Sequence, residues 1–261
     1  MLGQHPYTFR GTNLQIDYLL FLPDTYNEKP DVEWPVILYF HGADKSRDTV
    51  EGIKSKSLPG KAEAEPDFPF IVVSPHFPTA MVGPIQNINA ALKRDEKVNM
   101  DSISTILETV IGLLDDVIST YRVDKTRVYA TGTSQGGYVT WHMATAYPER
   151  LAAVAPMQGG GDPEMGCKLK SLPVWIFHGA LDTTVPLREA EEMVKSIEEC
   201  GGSPKLTVYP GAGHGSAVWS PAYSDPELYT WFRSNLILDG IHTSVQPRGK
   251  LTTTWGSLKR L

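Results

Sequence analysis

Short apolar runs of strand length alternate with longer stretches of helical periodicity along most of this chain, and that alternation constrains its fold most tightly. Residues 36–40 and 70–74 are compact apolar runs rich in β-branched and aromatic side chains, the pattern of strands buried on both faces. Residues 127–131, 151–157, 174–178 and 206–209 read the same way. Between them lie helical stripes. Ile103, Ile106, Leu107, Val110, Leu114, Val117, Ile118 and Tyr121 recur at steps of three and four, which predicts a helix over 101–121 with one apolar face against a sheet. Further helices are expected over 135–147, over 187–199 with Ala190, Met193, Val194 and Ile197 inward, and over 226–235 through Leu228, Trp231 and Phe232. Residues 7–10 and 14–22 read as paired strands around a turn at 11–13. Such alternation predicts an α/β fold, a mostly parallel central sheet with helices on both faces. Function in such a sheet gathers beyond the carboxyl ends of its strands.

The chain of 261 residues is long enough to bury a large core in one domain. Hydrophobic residues make up 41% and charged residues 21%, far from the composition of a disordered chain. The net charge of −6 speaks against a nucleic-acid partner, which selects for a basic patch. No apolar run is long enough to span a bilayer. Residues 1–10 carry no basic-then-apolar leader, which leaves the cytoplasm, or secretion with the leader removed. The domain is expected over 1–240. Residues 241–261 form a C-terminal extension around Trp255 and Leu258, packed on the surface or adding an edge strand at 251–255. Cys167 and Cys200 form no CxxC pair and no disulfide framework; two free thiols are expected, with a single bridge as the alternative. The seven histidines show no HExxH or paired spacing, so neither a metal nor another cofactor is expected.

The strongest chemical signal is Gly132-Thr133-Ser134-Gln135-Gly136-Gly137, which ends one predicted strand and opens one predicted helix. A serine hydroxyl is a weak nucleophile and acts only when exposed, held rigidly and placed beside a base. A sharp strand-to-helix turn exposes it, and the glycines are required where side chains would collide with the neighbouring elements. The helix also aims its N-terminal N–H groups at the site, where they favour developing negative charge. Two partners follow on the same rim. Asp182 lies in His178-Gly179-Ala180-Leu181-Asp182-Thr183-Thr184-Val185-Pro186, past the run 174–178, and His214 in Gly211-Ala212-Gly213-His214-Gly215, past the run 206–209. The order Ser, Asp, His is that of α/β-hydrolase triads. Asp162, past the run ending at Met157, is a competing acid; the Asp-x-x-Val-Pro context favours Asp182.

These residues resemble serine esterases of the α/β-hydrolase superfamily, in particular the carboxylesterase and feruloyl-esterase-like group that includes predicted peptidases and phospholipase/carboxylesterases. The resemblance runs from about Asp17 to Asn235. It is carried by Phe40-His41-Gly42-Ala43, Tyr121-Arg122-Val123-Asp124 with Arg127-Val128-Tyr129, the serine turn with Tyr138 and Trp141, Gly159-Gly160-Gly161-Asp162, Leu172-Pro173-Val174-Trp175, the acid loop, and Pro226-Glu227-Leu228-Tyr229. It implies an acyl-enzyme mechanism with Ser134 as nucleophile, His214 as general base and acid, and Asp182 orienting the imidazole. The oxyanion would be held by the backbone N–H groups of Gln135 and Ala43. His41 and His178 are expected to be structural, holding the oxyanion turn and the acid loop. The implied substrates are short-chain or aryl esters, feruloyl or acetyl groups on small molecules or polysaccharides among them. A serine peptidase of the same fold and a non-catalytic binding protein on the same scaffold are the alternatives. Ser134 in the turn disfavours dienelactone-hydrolase chemistry with a cysteine nucleophile.

The chain departs from the group after the run 70–74, where Ser74-Pro75-His76-Phe77-Pro78 replaces a Gln-Cys-Pro type sequence and no Trp follows before the long helix. His76 and Phe77 are therefore candidates for lining the pocket, with surface packing as the alternative. Trp219 and Tyr223, close after His214, are candidates either for stacking on an aryl or sugar group or for packing their loop against the last helix. Residues 158–173 alone separate two core strands at the place where large caps are often inserted in this fold, so an open groove without a large cap is expected. The loops at about 43–69 and 77–98 would wall it.

Overall fold

The computed structural model describes residues 3–43, 49–54, 57–77, 101–245 and 251–252. Its centre is an eight-stranded sheet of β1 (Gly3–Arg10), β2 (Gln15–Leu22), β3 (Trp34–Phe40), β4 (Ile71–Pro75), β5 (Val123–Thr133), β6 (Ala153–Met157), β7 (Trp175–Gly179) and β8 (Lys205–Tyr209). The spatial order is β1-β2-β4-β3-β5-β6-β7-β8. β1 and β2 are an antiparallel hairpin, β2 meets β4 antiparallel, and every later pairing is parallel. β3 lies between β4 and β5, so the order reverses there and opens a crevice at the carboxyl rim.

The helices are α1 (Ser57–Ala64), α2 (Asp101–Thr120), α3 (Gln135–Ala146), α4 (Leu187–Glu199), α5 (Ser216–Ser224) and α6 (Pro226–Ser234). They cover the sheet on both faces, and the strands alternate between two cores. Along β3, Val36, Leu38 and Phe40 join the core shared with α2, α3 and α4, while Ile37 and Tyr39 join the one under α1, α5 and α6. β7 divides likewise, with Ile176 on the first side and Trp175 and Phe177 on the second. A strand with no solvent face cannot alternate apolar with polar, which is why these segments read as unbroken apolar runs. Each fully buried large side chain here contributes about 1.5–3 kcal/mol.

α2 lays Val110, Leu114 and Val117 on the first core. α6 starts where its sequence says: Asp225 accepts from the Glu227 N–H at 2.8 Å and Pro226 takes the first helical position. It stops one residue before the expected end. Asn235 is extended and begins β9 (Asn235–Leu238), which pairs antiparallel with β10 (Ile241–Val245), itself paired with the short β11 (Leu251–Thr252). These three strands form a separate small sheet. Trp255 and Leu258 lie outside the described residues, as do Pro78 and most of the loop 77–98. Within the other long loop, 43–69, the chain forms α1. Between β6 and β7 it forms only a 3-10 segment, Pro163–Leu169.

The expectation of free thiols is corrected. Cys167 and Cys200 form a disulfide, with Cα atoms 5.1 Å apart. It ties the 3-10 segment to the end of α4. The two run so close that a Cβ on Gly166 would fall 2.1 Å from Ser196 Oγ. Ser196 in turn donates to Pro163 O. The bridge spans 33 residues of sequence, too far apart for a spacing pattern to betray it.

Candidate active site

Five consecutive strands of the parallel rim (β3, β5, β6, β7 and β8) each deliver one element of the site. Ser134 follows β5 with φ 55° and ψ −116°, a conformation L-residues rarely adopt. The turn is locked by Ser134 N–H donating to Met157 O at 2.8 Å and Gly137 N–H donating to Ser134 O at 2.8 Å. Close backbone approach explains the glycines. A Cβ on Gly136 would lie 1.9 Å from Phe40 O, and one on Gly132 2.4 Å from Gly136 O. Ser134 is the N-cap of α3, so the positive end of the helix dipole lies at the residue that carries the hydroxyl.

Asp182 is carried by the turn after β7 and His214 by the loop after β8. His214 Nε2 lies 2.8 Å from Ser134 Oγ, and His214 Nδ1 lies 2.7 Å from Asp182 Oδ2. An ionised carboxylate only accepts, so Nδ1 carries the proton and Nε2 accepts from the serine. Asp182 Oδ1 accepts from the Thr184 and Val185 N–H groups, both at 2.9 Å. Its side chain is fully buried, while Ser134 and His214 are partly exposed. The competing Asp162 caps the 3-10 segment instead, accepting from the Glu164 N–H at 3.0 Å.

The turn expected to form the oxyanion hole follows β3. A Cβ on Gly42 would sit 3.4 Å from Ser134 Cβ, which places this turn beside the hydroxyl. His41 Nε2 accepts from the Phe77 N–H at 3.0 Å, so Nδ1 carries the proton and donates to Gly42 O at 2.8 Å. That carbonyl belongs to the same peptide as the Ala43 N–H, so the imidazole fixes the plane of the group expected to donate to an oxyanion.

His178 is wholly buried at the end of β7. Its Nε2–H donates to Val185 O at 2.8 Å, and burial pushes its pKa below the ordinary histidine value. Tyr138, on the first turn of α3, donates to Glu189 Oε2 at 3.0 Å; burial first, then the Glu189 charge, raises its pKa above the usual tyrosine value.

Of the four candidate pocket residues, only Trp219 stands beside the triad on an accessible side, its ring edge-on to His214 at 6.0 Å. His76 and Phe77 are buried; His76 stacks on His41, and Phe77 packs on Phe40 and His41, where both brace the oxyanion turn. Tyr223 is inside the second core, its hydroxyl 3.1 Å from Thr131 Oγ1 and its ring against Tyr39. Trp219 and Tyr223, four residues apart on α5, both meet the second core; Tyr223 is buried in it, while Trp219 packs at its edge and stays partly exposed.

One site residue had no expectation attached. Gln158 follows β6 with φ 47° and is wholly buried. Its Nε2 donates to Asp182 Oδ2 and to Gly213 O, each at 2.8 Å, and its Oε1 accepts from the Gly215 N–H at 2.9 Å. Its place at a strand's carboxyl end, on the rim that holds the triad, was the only signal in the sequence. Among the described residues no cluster of His, Cys, Asp and Glu is suited to a metal ion.

The strand order, the serine turn and the site at the rim define an α/β-hydrolase. Residues 29–220 match the family model described as phospholipase/carboxylesterase, and the chain belongs to that family. It is 28% identical to a thermostable esterase of known crystal structure, covering 89% of this chain and 63% of that one with a TM-score of 0.67. It is 26% identical to a bifunctional acetylxylan esterase/xylanase of Neocallimastix patriciarum, over 52% of this chain and 20% of the relative. It is also 30% identical to a putative carboxymethylenebutenolidase of Escherichia coli O157:H7, over 38% of this chain and 41% of the relative. These matches span a fifth to two-fifths of the two relatives' own lengths.

Proposed function

We propose that the protein is a serine carboxylic-ester hydrolase working through an acyl-enzyme, with short-chain or aryl esters, feruloyl and acetyl esters of sugars among them, as its substrates. The observation that carries this reading is the continuous hydrogen-bond chain Ser134 Oγ, His214 Nε2, His214 Nδ1, Asp182 Oδ2, with links of 2.8 and 2.7 Å. Ser134 attacks the ester carbonyl while His214 takes its proton. The imidazolium is held by Asp182 and returns that proton to the leaving alcohol. Water then repeats the sequence on the acyl-enzyme. The Gln135 and Ala43 N–H groups stabilise the tetrahedral oxyanion.

The substrate class draws support from the acetylxylan esterase among the relatives and from Trp219 at the mouth of the site. The test compares wild type with Ser134→Ala on p-nitrophenyl acyl esters, methyl ferulate and acetylated xylan. Cleavage of methyl ferulate or acetylated xylan, lost by about 10⁴-fold or more in the variant, is the expected result. Full activity in the variant overturns the nucleophile. Hydrolysis of short p-nitrophenyl esters alone overturns the aryl and sugar-ester assignment and leaves the esterase.

A further inference from the structure

We propose that Gln158 is a positioning residue for the catalytic histidine, setting both the carboxylate that orients His214 and the backbone on either side of it. The inference rests on the triad reading above. Its basis is one buried side chain with three partners, all belonging to that machinery: Asp182 Oδ2, Gly213 O and Gly215 N–H. Gly213 and Gly215 flank His214, so the amide grips the loop on both sides of the imidazole.

The amide orientation is fixed by its partners. A carboxylate oxygen and a carbonyl oxygen demand the NH₂ group, and a backbone N–H demands the oxygen, so no flipped form satisfies all three. No other uncharged side chain of this length carries two donors and an acceptor. Gln158 N–H is itself held by Phe177 O at 2.9 Å, which registers the residue on β7 as well. The left-handed backbone of a non-glycine residue here is unfavourable by itself, and such strain persists where surrounding contacts over-determine it. Asp182 Oδ2 thus receives two donors, the His214 Nδ1–H and the Gln158 amide. The amide keeps the carboxylate from rotating away from the ring when the proton arrives on Nε2.

Three variants test this in the full-length protein, with p-nitrophenyl acetate as substrate. Gln158→Met keeps the volume and removes all three bonds. Gln158→Ala removes the side chain. Gln158→Glu keeps the shape but sets a second carboxylate against Asp182 Oδ2 and Gly213 O. In the Met and Ala variants kcat is expected to fall about 10–100-fold, the size of a small misplacement of reacting groups, with KM changed less than about twofold. In the Glu variant two carboxyl groups in contact cannot both ionise, so the pair holds a proton to higher pH and the kcat/KM profile is expected to gain a further ionisation on its acid limb.

A pH-independent loss shared by all three variants, or kcat unchanged in Met, overturns the inference, since a purely structural residue would leave the limb in place. Should Gln158→Ala fail to fold, the Met and Glu variants decide alone. His214→Ala is the control that separates the two readings. If it keeps wild-type activity, the triad reading falls and takes this one with it. If it is inactive while the Gln158 variants match wild type, only the role of Gln158 falls.

Discussion

His178 Nε2 lies 3.6 Å from Asp182 Oδ2, with both side chains fully buried, yet the two do not form an ion pair. Burial lowers the His178 pKa, outweighing the opposing pulls of the Val185 carbonyl and the Asp182 charge, so the ring is neutral and donates to Val185 O. Asp182 Oδ2 therefore has its close histidine contact with His214 Nδ1, at 2.7 Å. A second cation at His178 would compete for the same oxygen.

That neutrality makes stability depend on pH in a definite direction. Unfolded His178 takes up a proton near pH 6.5, whereas the folded ring resists it. The stabilisation is fully present above about pH 6.5 and is lost as pH falls from there toward the lower folded value. Burial lowers His142 and His242 in the same sense. Urea unfolding between pH 8 and pH 5 should show falling stability below about pH 6.5. Gln at position 178 should flatten that slope by up to one proton's worth, about 1.4 kcal/mol per pH unit. An identical slope in His178→Gln would show that this ring titrates no differently in the folded protein.

Asp182→Asn should be more damaging than loss of charge alone predicts. The Thr184 and Val185 N–H groups require an acceptor at the Oδ1 position, so the new NH₂ group must take the Oδ2 position. There it meets the Gln158 Nε2 and the His214 Nδ1, both donors. His214 can then keep a hydrogen bond only in the wrong tautomer, and kcat should fall about 10⁴-fold, as an equivalent change does in a serine protease. Ester hydrolysis by a variant with native circular dichroism measures it; a loss under tenfold would remove Asp182 from the orienting role.

The disulfide closes a loop of 33 residues. In the chain-entropy account such a loop restricts the unfolded chain by about 3–4 kcal/mol. Cys167→Ser with Cys200→Ser should lower the unfolding free energy by about 2–4 kcal/mol in denaturant titrations, with ester hydrolysis at 25 °C little changed, because the bridge lies between the 3-10 segment and α4. Equal stability with and without the bridge would contradict this.

Much of this was legible because the chemistry is local. Ser134, Asp182 and His214 each follow an apolar run with glycines beside them, so strand ends and turns announce the rim on which they meet. The glycines of the serine turn are legible for the same reason, and Gly136→Ala should abolish activity and cost about 3 kcal/mol or more, since the Phe40 carbonyl cannot yield. What stayed hidden depends on contacts between distant segments. Gln158 looks like any polar residue after a strand until the loops at 182 and 214 fold over it. Helix α5 contains Pro221, which argues against a helix locally and is outvoted by Val218 and Ala222 in the second core. β9 begins where the Tyr129 hydroxyl, from the middle of the main sheet, donates to Asn235 O at 3.0 Å. Of the two readings open for Tyr223, its burial in the second core is packing, and sequence proximity to His214 does not say how deep a side chain lies.

A substitution at Trp219 tests substrate binding apart from catalysis. Its ring stands perpendicular to that of His214 at 6.0 Å, packs on the edge of the second core and is partly exposed. Stacking on an aromatic acyl group contributes about 0.5–1.5 kcal/mol beyond area burial, which is about 2–10-fold in affinity. Trp219→Ala should therefore raise KM for methyl ferulate by that factor and leave KM for p-nitrophenyl acetate, whose acyl group has no ring, nearly unchanged. Should kcat fall equally for both substrates with KM constant, Trp219 acts on the orientation of His214 and not on the substrate, and the aryl preference would have to be sought in the other residues lining the groove.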